Sequence, residues 1–539
     1  MKKCFAFLTI FFLYAGFCTN LSGQKVDKLP RSIPETEGVS SAGIIDFLNA
    51  VDTGRQEIHS FMFLRHGKVI AEGWWDPYGP DHKHLLYSAS KTFTATGIGL
   101  AVSENRLKLT DKVISFFPYS LPESIGPNMK DLTVQNLLTM SVGQETPAMG
   151  GGGDDDWIAA FIKSEPEHKP GTVFKYNNMA TFMLSAIVQQ VTGQTLFDYL
   201  KPRIFDPLAI TGMDWDKNGQ GINLGMIGLR LHTEDLAKFG QMLLQNGKWN
   251  NRQLLPEAWV KEATSFKIES SDPNNKMPKD KNDWAQGYCY QMWRGRNNSV
   301  RLDGMAGQFV ILFPDKDAVV VLTANARNTQ AELNLVHNYL IPAIKSVKAV
   351  PSDPAAYSEL VKKQASLKIK TPGSDAPESR FAGVISGKEF ALQDNDYQIQ
   401  SVYFSFKDKE CSFGLKRNNT VTVVKAGSDN WKLTNTKTAS LLAPSRSASS
   451  KSIDAAYLVP QPVIKAGSVF TWTDPSTLEI TSRFVEESLG EQTIVCRFNE
   501  MNGVTSVTIG PKQMPGMFGA PGRMQPAAVQ LRGTLVSLD

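Results

Sequence analysis

The chain of 539 residues is poor in cysteine, with five, and in histidine, with seven. No C-x-x-C pair occurs, which removes zinc ribbons and thioredoxin-like redox sites from consideration. His82 and His84 sit two apart, as metal ligands on one strand face would, but no third ligand accompanies them and a solvated strand end is expected. The Gly-rich run ending in Asp154-Asp155-Asp156 lacks the spacing of a Ca²⁺ loop and is expected to be a solvated loop. No metal and no organic cofactor is therefore expected. A surplus of one charge is also missing. The 57 Lys and Arg against 53 Asp and Glu leave +4, which suggests no nucleic-acid partner. No G-x-S-x-G occurs, which argues against an α/β-hydrolase nucleophile elbow. No run beyond the N-terminal one is long and apolar enough to span a membrane.

That N-terminal run has the form of an export signal. Met1-Lys2-Lys3 precedes a mostly apolar stretch from Cys4 to Gly16, and Ser22 and Gly23 are small enough for cleavage. Residues 1–23 are read as a signal peptide, which places the protein in the periplasm or outside the cell. Cys18 follows Phe17, where a bacterial lipoprotein signal has a small residue, so lipid anchoring is disfavoured. Cys289, Cys411 and Cys496 remain in the mature chain, and a Cys411–Cys496 bridge and two free thiols both stay open.

What the chain does contain is Ser88-Ala89-Ser90-Lys91 at the start of a helical stretch. On a helix, S-x-x-K puts a hydroxyl and an amine one turn apart on one face. A lysine kept neutral by its surroundings can take the hydroxyl proton and make the serine a nucleophile. Chance alone supplies about two such tetrapeptides in a chain this long, and this chain has two, the other being Ser22-Gly23-Gln24-Lys25 in the signal region. Further along, Tyr176-Asn177-Asn178 enters a second helical stretch. A phenol beside a lysine can pass a proton to a leaving group, and an Asn amide can orient the lysine or a substrate carbonyl. Third, Asp303-Gly304-Met305-Ala306-Gly307-Gln308 opens an apolar strand where a substrate backbone can approach. Each element alone is equally compatible with a helix start, a capped turn or a bulged strand.

Taken in this order, S-x-x-K, Y-x-N and a glycine-bearing strand resemble the penicillin-recognising serine hydrolases, in particular the class C β-lactamase branch with its esterases, D-amino-acid peptidases and nylon-oligomer hydrolases. The resemblance covers residues 30 to 345 and extends to Gln135–Gly143, Phe205–Met213 and Thr233–Gly240. It implies Ser88 as nucleophile, Lys91 as base and Tyr176 as proton relay. Asn178 would position Lys91 or the substrate, and the N–H groups of Ser88 and Met305 would form the oxyanion hole. Asp303, Gly304, Gly307 and Gln308 would bind or orient the substrate. Members that bind carboxylates usually carry Lys or His two residues before the strand glycine. Here Leu302 stands there, followed by Asp303, while the neighbouring Arg301 points to the opposite strand face from Leu302. A substrate carboxylate would be repelled, and the Gly304-x-x-Gly307-Gln308 form looks closer to the esterase and nylon-oligomer members.

The expected fold class is α+β. Residues 30–347 form an antiparallel sheet flanked by helices, with a helical subdomain and the site between them, as the resemblance implies. Residues 348–378 read as a linker with one short helix. Residues 379–539 alternate as strands do and form an all-β sandwich or barrel, in which the Ser-rich 445–452 and the Met-bearing 510–526 are loops. A chain ending near Val347 is expected to keep Ser88 reactive. The function read from the sequence is cleavage of a small-molecule or peptide-like ester or amide through an acyl-enzyme. The alternatives are a D-amino-acid peptidase or weak β-lactamase, and a receptor module without catalysis.

Overall fold

In the computed structural model the described residues are 28–146, 156–371, 379–418, 420–436, 463–486, 491–512 and 530–536. The expected signal peptide, Asp154 and Asp155, the Ser-rich stretch and Met514, Met517 and Met524 lie outside them.

A helix at Ser41–Thr53, capped by the Ser40 hydroxyl, precedes a hairpin of β1 (Ile58–Arg65) and β2 (Lys68–Trp74). His66 and Gly67 turn this hairpin, both at positive φ. Short β3 (His84–Leu85) leads through a 3₁₀ turn, Tyr87–Ala89, into the helix Ser90–Ser103. A helical region follows, including Asn178–Thr192 and Thr233–Leu244. Within it, β4 (Asp214–Trp215) and β5 (Leu229–Leu231) pair beside β3, and β6 (Lys248–Trp249) and β7 (Arg252–Gln253) make a small hairpin. The chain then returns through β8 (Trp293–Arg294), β9 (Val300–Gly304), β10 (Gln308–Phe313) and β11 (Ala318–Ala324).

These strands form one antiparallel sheet in the order β2-β1-β11-β10-β9-β8. Every residue of β1 is buried, so the sheet is covered on both faces. Alternation of strand side chains divides the apolar residues between two cores. Met62, Leu64, Val310, Leu312, Val319 and Val321 face the helical region, together with Phe93 and Phe239. Phe61, Phe63, Phe309, Ile311, Val320 and Leu322 face the helix Ser41–Thr53 and the closing helical segment around Leu333–Leu340. The helical region and this sheet together are the expected α+β arrangement.

Beyond Val347, the helix Pro354–Ala365 lies against the helix Ser41–Thr53, where Lys363 pairs with Asp52 at 2.7 Å. Leu360, Leu367 and Ile369 enter the second core. The rest is all β: β12 (Lys388–Leu392), β13 (Ile399–Lys407), β14 (Glu410–Arg417), β15 (Thr420–Gly427), β16 (Lys432–Thr436), β17 (Ile464–Asp474), β18 (Thr477–Phe484), β19 (Glu491–Met501), β20 (Val504–Pro511) and β21 (Leu531–Leu535). Neighbours run β15-β14-β13-β12-β21-β20-β19-β18-β17, and Gly427 of β15 meets Val469 of β17, closing a barrel with β16 alongside β17. Phe390, Phe404, Phe413, Trp472 and Phe498 fill its interior. Cys411 and Cys496 are buried there as free thiols.

The barrel is not merely tethered. Trp431, Val469 and Val485 pack into the second core, and the Trp431 indole donates to the Ile369 carbonyl at 3.0 Å. Gly467 of β17 lies on Pro77. His82, faced by Lys465 and Glu486 of the barrel region, and His84, beside His59 and Tyr78, are buried rather than solvated as expected from sequence.

Candidate active site

Ser88 sits in the 3₁₀ turn between β3 and the helix Ser90–Ser103. The residue before it, Tyr87, holds φ +46, an uncommon conformation for a non-glycine residue, and so the chain bends sharply where it presents the serine. One turn on, Lys91 is 1% exposed. Its Nζ lies 3.0 Å from Ser88 Oγ, 2.9 Å from Asn178 Oδ1 and 2.9 Å from the Met226 carbonyl oxygen. Burial pushes the Lys91 ammonium down to about 7, against the opposing charge of Asp303.

The partner set decides what the neutral amine does. A neutral lysine has two N–H bonds and one lone pair. The Asn178 and Met226 oxygens are acceptors only and take the two N–H bonds. The lone pair is left facing Ser88 Oγ, in position to receive its proton.

Tyr176 closes the group from the other side. The Lys91 nitrogen lies 4.9 Å from its ring centroid. Burial pushes the Tyr176 phenol well up, against the influence of the Ser88 hydroxyl, so it stays protonated at neutral pH. Asn177 and Asn178 divide the work at this helix start. Asn177 caps the helix, accepting from the Ala180 N–H at 3.1 Å, while Asn178 faces Lys91 and stays exposed.

The end of β9 adjoins the serine turn. A Cβ at Gly304 would lie 2.3 Å from the Leu86 carbonyl oxygen, so only glycine allows this approach, which brings the start of the Met305 backbone beside Ser88. Gly307 holds φ +93, and a Cβ there would lie 1.9 Å from Glu332 Oε2. Gln308 does not face the cleft. Its Nε2 donates to the Met305 and Ala324 carbonyls at 3.2 and 2.7 Å and ties the turn together. The Met305 side chain is exposed. Asp303 accepts from Arg301 Nε at 2.9 Å, and Leu302 points into the first core.

Ser88, Lys91, Tyr176 and Asn178 thus converge. Asp303, Gly304 and Met305 border them, and Gly307 and Gln308 shape the turn behind. Three participants have no sequence motif. The Met226 carbonyl is delivered by a loop bent at Gly225 and Gly228, both at positive φ, and those glycines were the available signal. Trp293 stacks on Tyr176 at 5.9 Å and stiffens that wall. Glu332 is fully buried, neither of its carboxyl oxygens has a partner among the described residues, and burial beside Asp303 pushes it well above the usual carboxylate range.

A profile of the Beta-lactamase family matches residues 52–340. Protein flp of Staphylococcus aureus (strain MRSA252) is 27% identical over 187 residues, which cover 32% of this chain and 37% of that protein. The match thus spans little more than a third of that relative's length. A 6-aminohexanoate-dimer hydrolase of Paenarthrobacter ureafaciens is 25% identical over 298 residues, covering 49% of this chain and 71% of that protein. Among solved structures, a D-stereospecific amidohydrolase from Streptomyces sp. is 17% identical, covers 56% of this chain and 99% of its own, and has a TM-score of 0.45. The octameric penicillin-binding protein homologue from Pyrococcus abyssi is 15% identical, covers 91% and 98%, and has a TM-score of 0.43.

Proposed function

This chain belongs to the Beta-lactamase family, and from that premise we propose that it is an exported serine hydrolase that cleaves an ester or amide through an acyl-enzyme on Ser88. The observation that carries the reading is the Lys91 amine, buried and held by two carbonyl acceptors with its third contact to Ser88 Oγ at 3.0 Å. Ser88 Oγ attacks the substrate carbonyl and its proton passes to Lys91. The oxyanion that forms faces the backbone N–H groups of Ser88 and Met305. The Lys91 proton then reaches the leaving group by way of Tyr176, and the C–O or C–N bond breaks. Water attacks the acyl carbonyl, its proton is taken up by the same Lys91–Tyr176 pair, and Ser88 Oγ leaves with a proton as the acid is released.

A fluorophosphonate probe tests the nucleophile. It is expected to label Ser88 and to label nothing in Ser88→Ala. Ser90 and Ser141 are buried and already bonded, to the Leu229 N–H and to Thr139 respectively, so labelling at either would overturn the assignment. A panel of p-nitrophenyl esters, nitrocefin, D-Ala-D-Ala peptides and linear amides tests the bond. Rapid nitrocefin turnover with inert esters would reverse the reading in favour of a β-lactamase.

A further inference from the structure

Asp303 stands beside the reacting group without belonging to it. Gly304, the next residue, is pressed on Leu86, two residues before Ser88. From the other direction, Lys91 lies over Tyr176, Tyr176 stacks on Trp293, and the Arg301 guanidinium lies 6.0 Å from the Trp293 ring. Asp303 is bonded to that guanidinium and is therefore part of the same wall.

Its surroundings fix its position. Arg301 Nη1 donates to the Asp283 and Arg294 carbonyls at 2.9 and 3.1 Å, and the guanidinium lies 4.7 Å from the Trp284 ring. Burial pushes the Asp303 carboxyl above its ordinary value, the Arg301 guanidinium opposes this, and the bond from Arg301 Nε at 2.9 Å holds the carboxylate in place as one half of an ion pair. The pair is not symmetric toward the cleft, because the Arg301 side chain is 1% exposed and that of Asp303 is 13%. A bound molecule meets the carboxylate, with the cation behind it. Glu332, unpartnered and buried across Gly307, adds no positive charge.

Resting on the serine-hydrolase reading above, we propose that Asp303 sorts substrates by charge: the cleft takes esters or amides whose acyl group carries a positive charge a few atoms from the carbonyl and rejects those carrying a carboxylate there. Charges a few ångströms apart in a partly enclosed cleft interact far more strongly than in water. A substrate carboxylate at this wall faces a fixed like charge, and a substrate cation faces an opposite one.

Three boronic acids of similar length test this, because each adds reversibly to an activated serine: butylboronic acid, 3-(trimethylammonio)propylboronic acid and 3-carboxypropylboronic acid. The inhibition constants of the wild-type protein are expected to rank cation below neutral below anion, with about tenfold or more between the extremes. In Asp303→Asn that ratio is expected to shrink by about tenfold. Equal inhibition by all three, or tightest inhibition by the carboxylate, in the wild type overturns the proposal whether or not the variant folds. An undiminished ratio in folded Asp303→Asn overturns the assignment to Asp303. If none of the three inhibits and the fluorophosphonate probe leaves Ser88 unlabelled, the serine-hydrolase reading itself has failed, a result distinct from loss of charge selection.

Discussion

Arg483, on barrel strand β18, grips Glu57, at the entry to β1, through two guanidinium nitrogens at 2.5 and 3.0 Å. Arg483 also pairs with Glu491 at 2.6 Å, and Glu57 accepts from or shares a proton with His59 Nε2 at 2.9 Å. Burial opposes ionisation of Glu57, yet the hydrogen bond from His59 and the charge of Arg483 pull its carboxyl down to about 2. His59 in turn stacks on Tyr78 at 3.7 Å and lies 5.5 Å from His84, which is four residues before Ser88. The barrel is thus connected to the strand that leads to Ser88.

Replacing Arg483 by methionine leaves Glu57 and Glu491 without their shared cation in a largely buried seam. Loss of about 3 kcal/mol of unfolding free energy is expected, read as a lower urea midpoint. A chain ending near Val347, expected from sequence to keep its reactivity, loses Leu360, Leu367, Ile369, Trp431, Val469 and Val485 from the second core. It is expected to bind a hydrophobic dye and to unfold at lower urea than the full chain. An unchanged midpoint in both would show that the seam contributes nothing.

Lys91 acts as a base only when neutral, and burial brings its ammonium down to about 7. Acylation of Ser88 is therefore expected to rise through pH 7 and to be lost as pH falls below it. A rate constant flat down to about pH 5 counts against the neutral amine. Lys91→Ala is expected to slow acylation by about 10²–10⁴-fold with the urea midpoint retained.

His59 and His84 are fully buried, and burial lowers both below the ordinary histidine value; the Glu57 hydrogen bond opposes this at His59, and the His59 charge adds to it at His84. The unfolded chain protonates them near pH 6.5, where the folded protein does not. Their stabilising effect is complete above that pH and declines as pH falls, by up to about 1.4 kcal/mol per unit for each. Urea midpoints measured from pH 8 to pH 5 are expected to drop, and to drop less in His84→Phe.

Cys411 and Cys496 share the barrel interior as thiols that burial pushes well up, so neither is a thiolate at neutral pH. Without reductant, both are expected to resist alkylation in the folded protein and to alkylate fully once it is unfolded. A linked Cys411–Cys496 peptide in the mass spectrum would overturn this.

Ser88 and Lys91 were legible in the chain because their relation is local. Three residues apart at a helix start is one turn, whatever the rest of the protein does. Tyr176 and Asn178 were recognisable only through their order along the chain. Their distance from Lys91 follows from packing one helix on another, and composition alone does not report it. The Met226 carbonyl had no signature, since every residue carries one and only the loop path decides which is delivered. Arg301 and Asp303 share a strand face, but that the cation is buried and the carboxylate slightly more open depends on where Trp284 and Trp293 close over the guanidinium. His82 read as solvated because Lys465 and Glu486, which face it, come from the barrel nearly four hundred positions away. Short-range spacing therefore carried the Ser88–Lys91 pair and the strands. The near-neutral lysine, the charged wall and the barrel seam arose from burial, which exists only once distant segments have packed together.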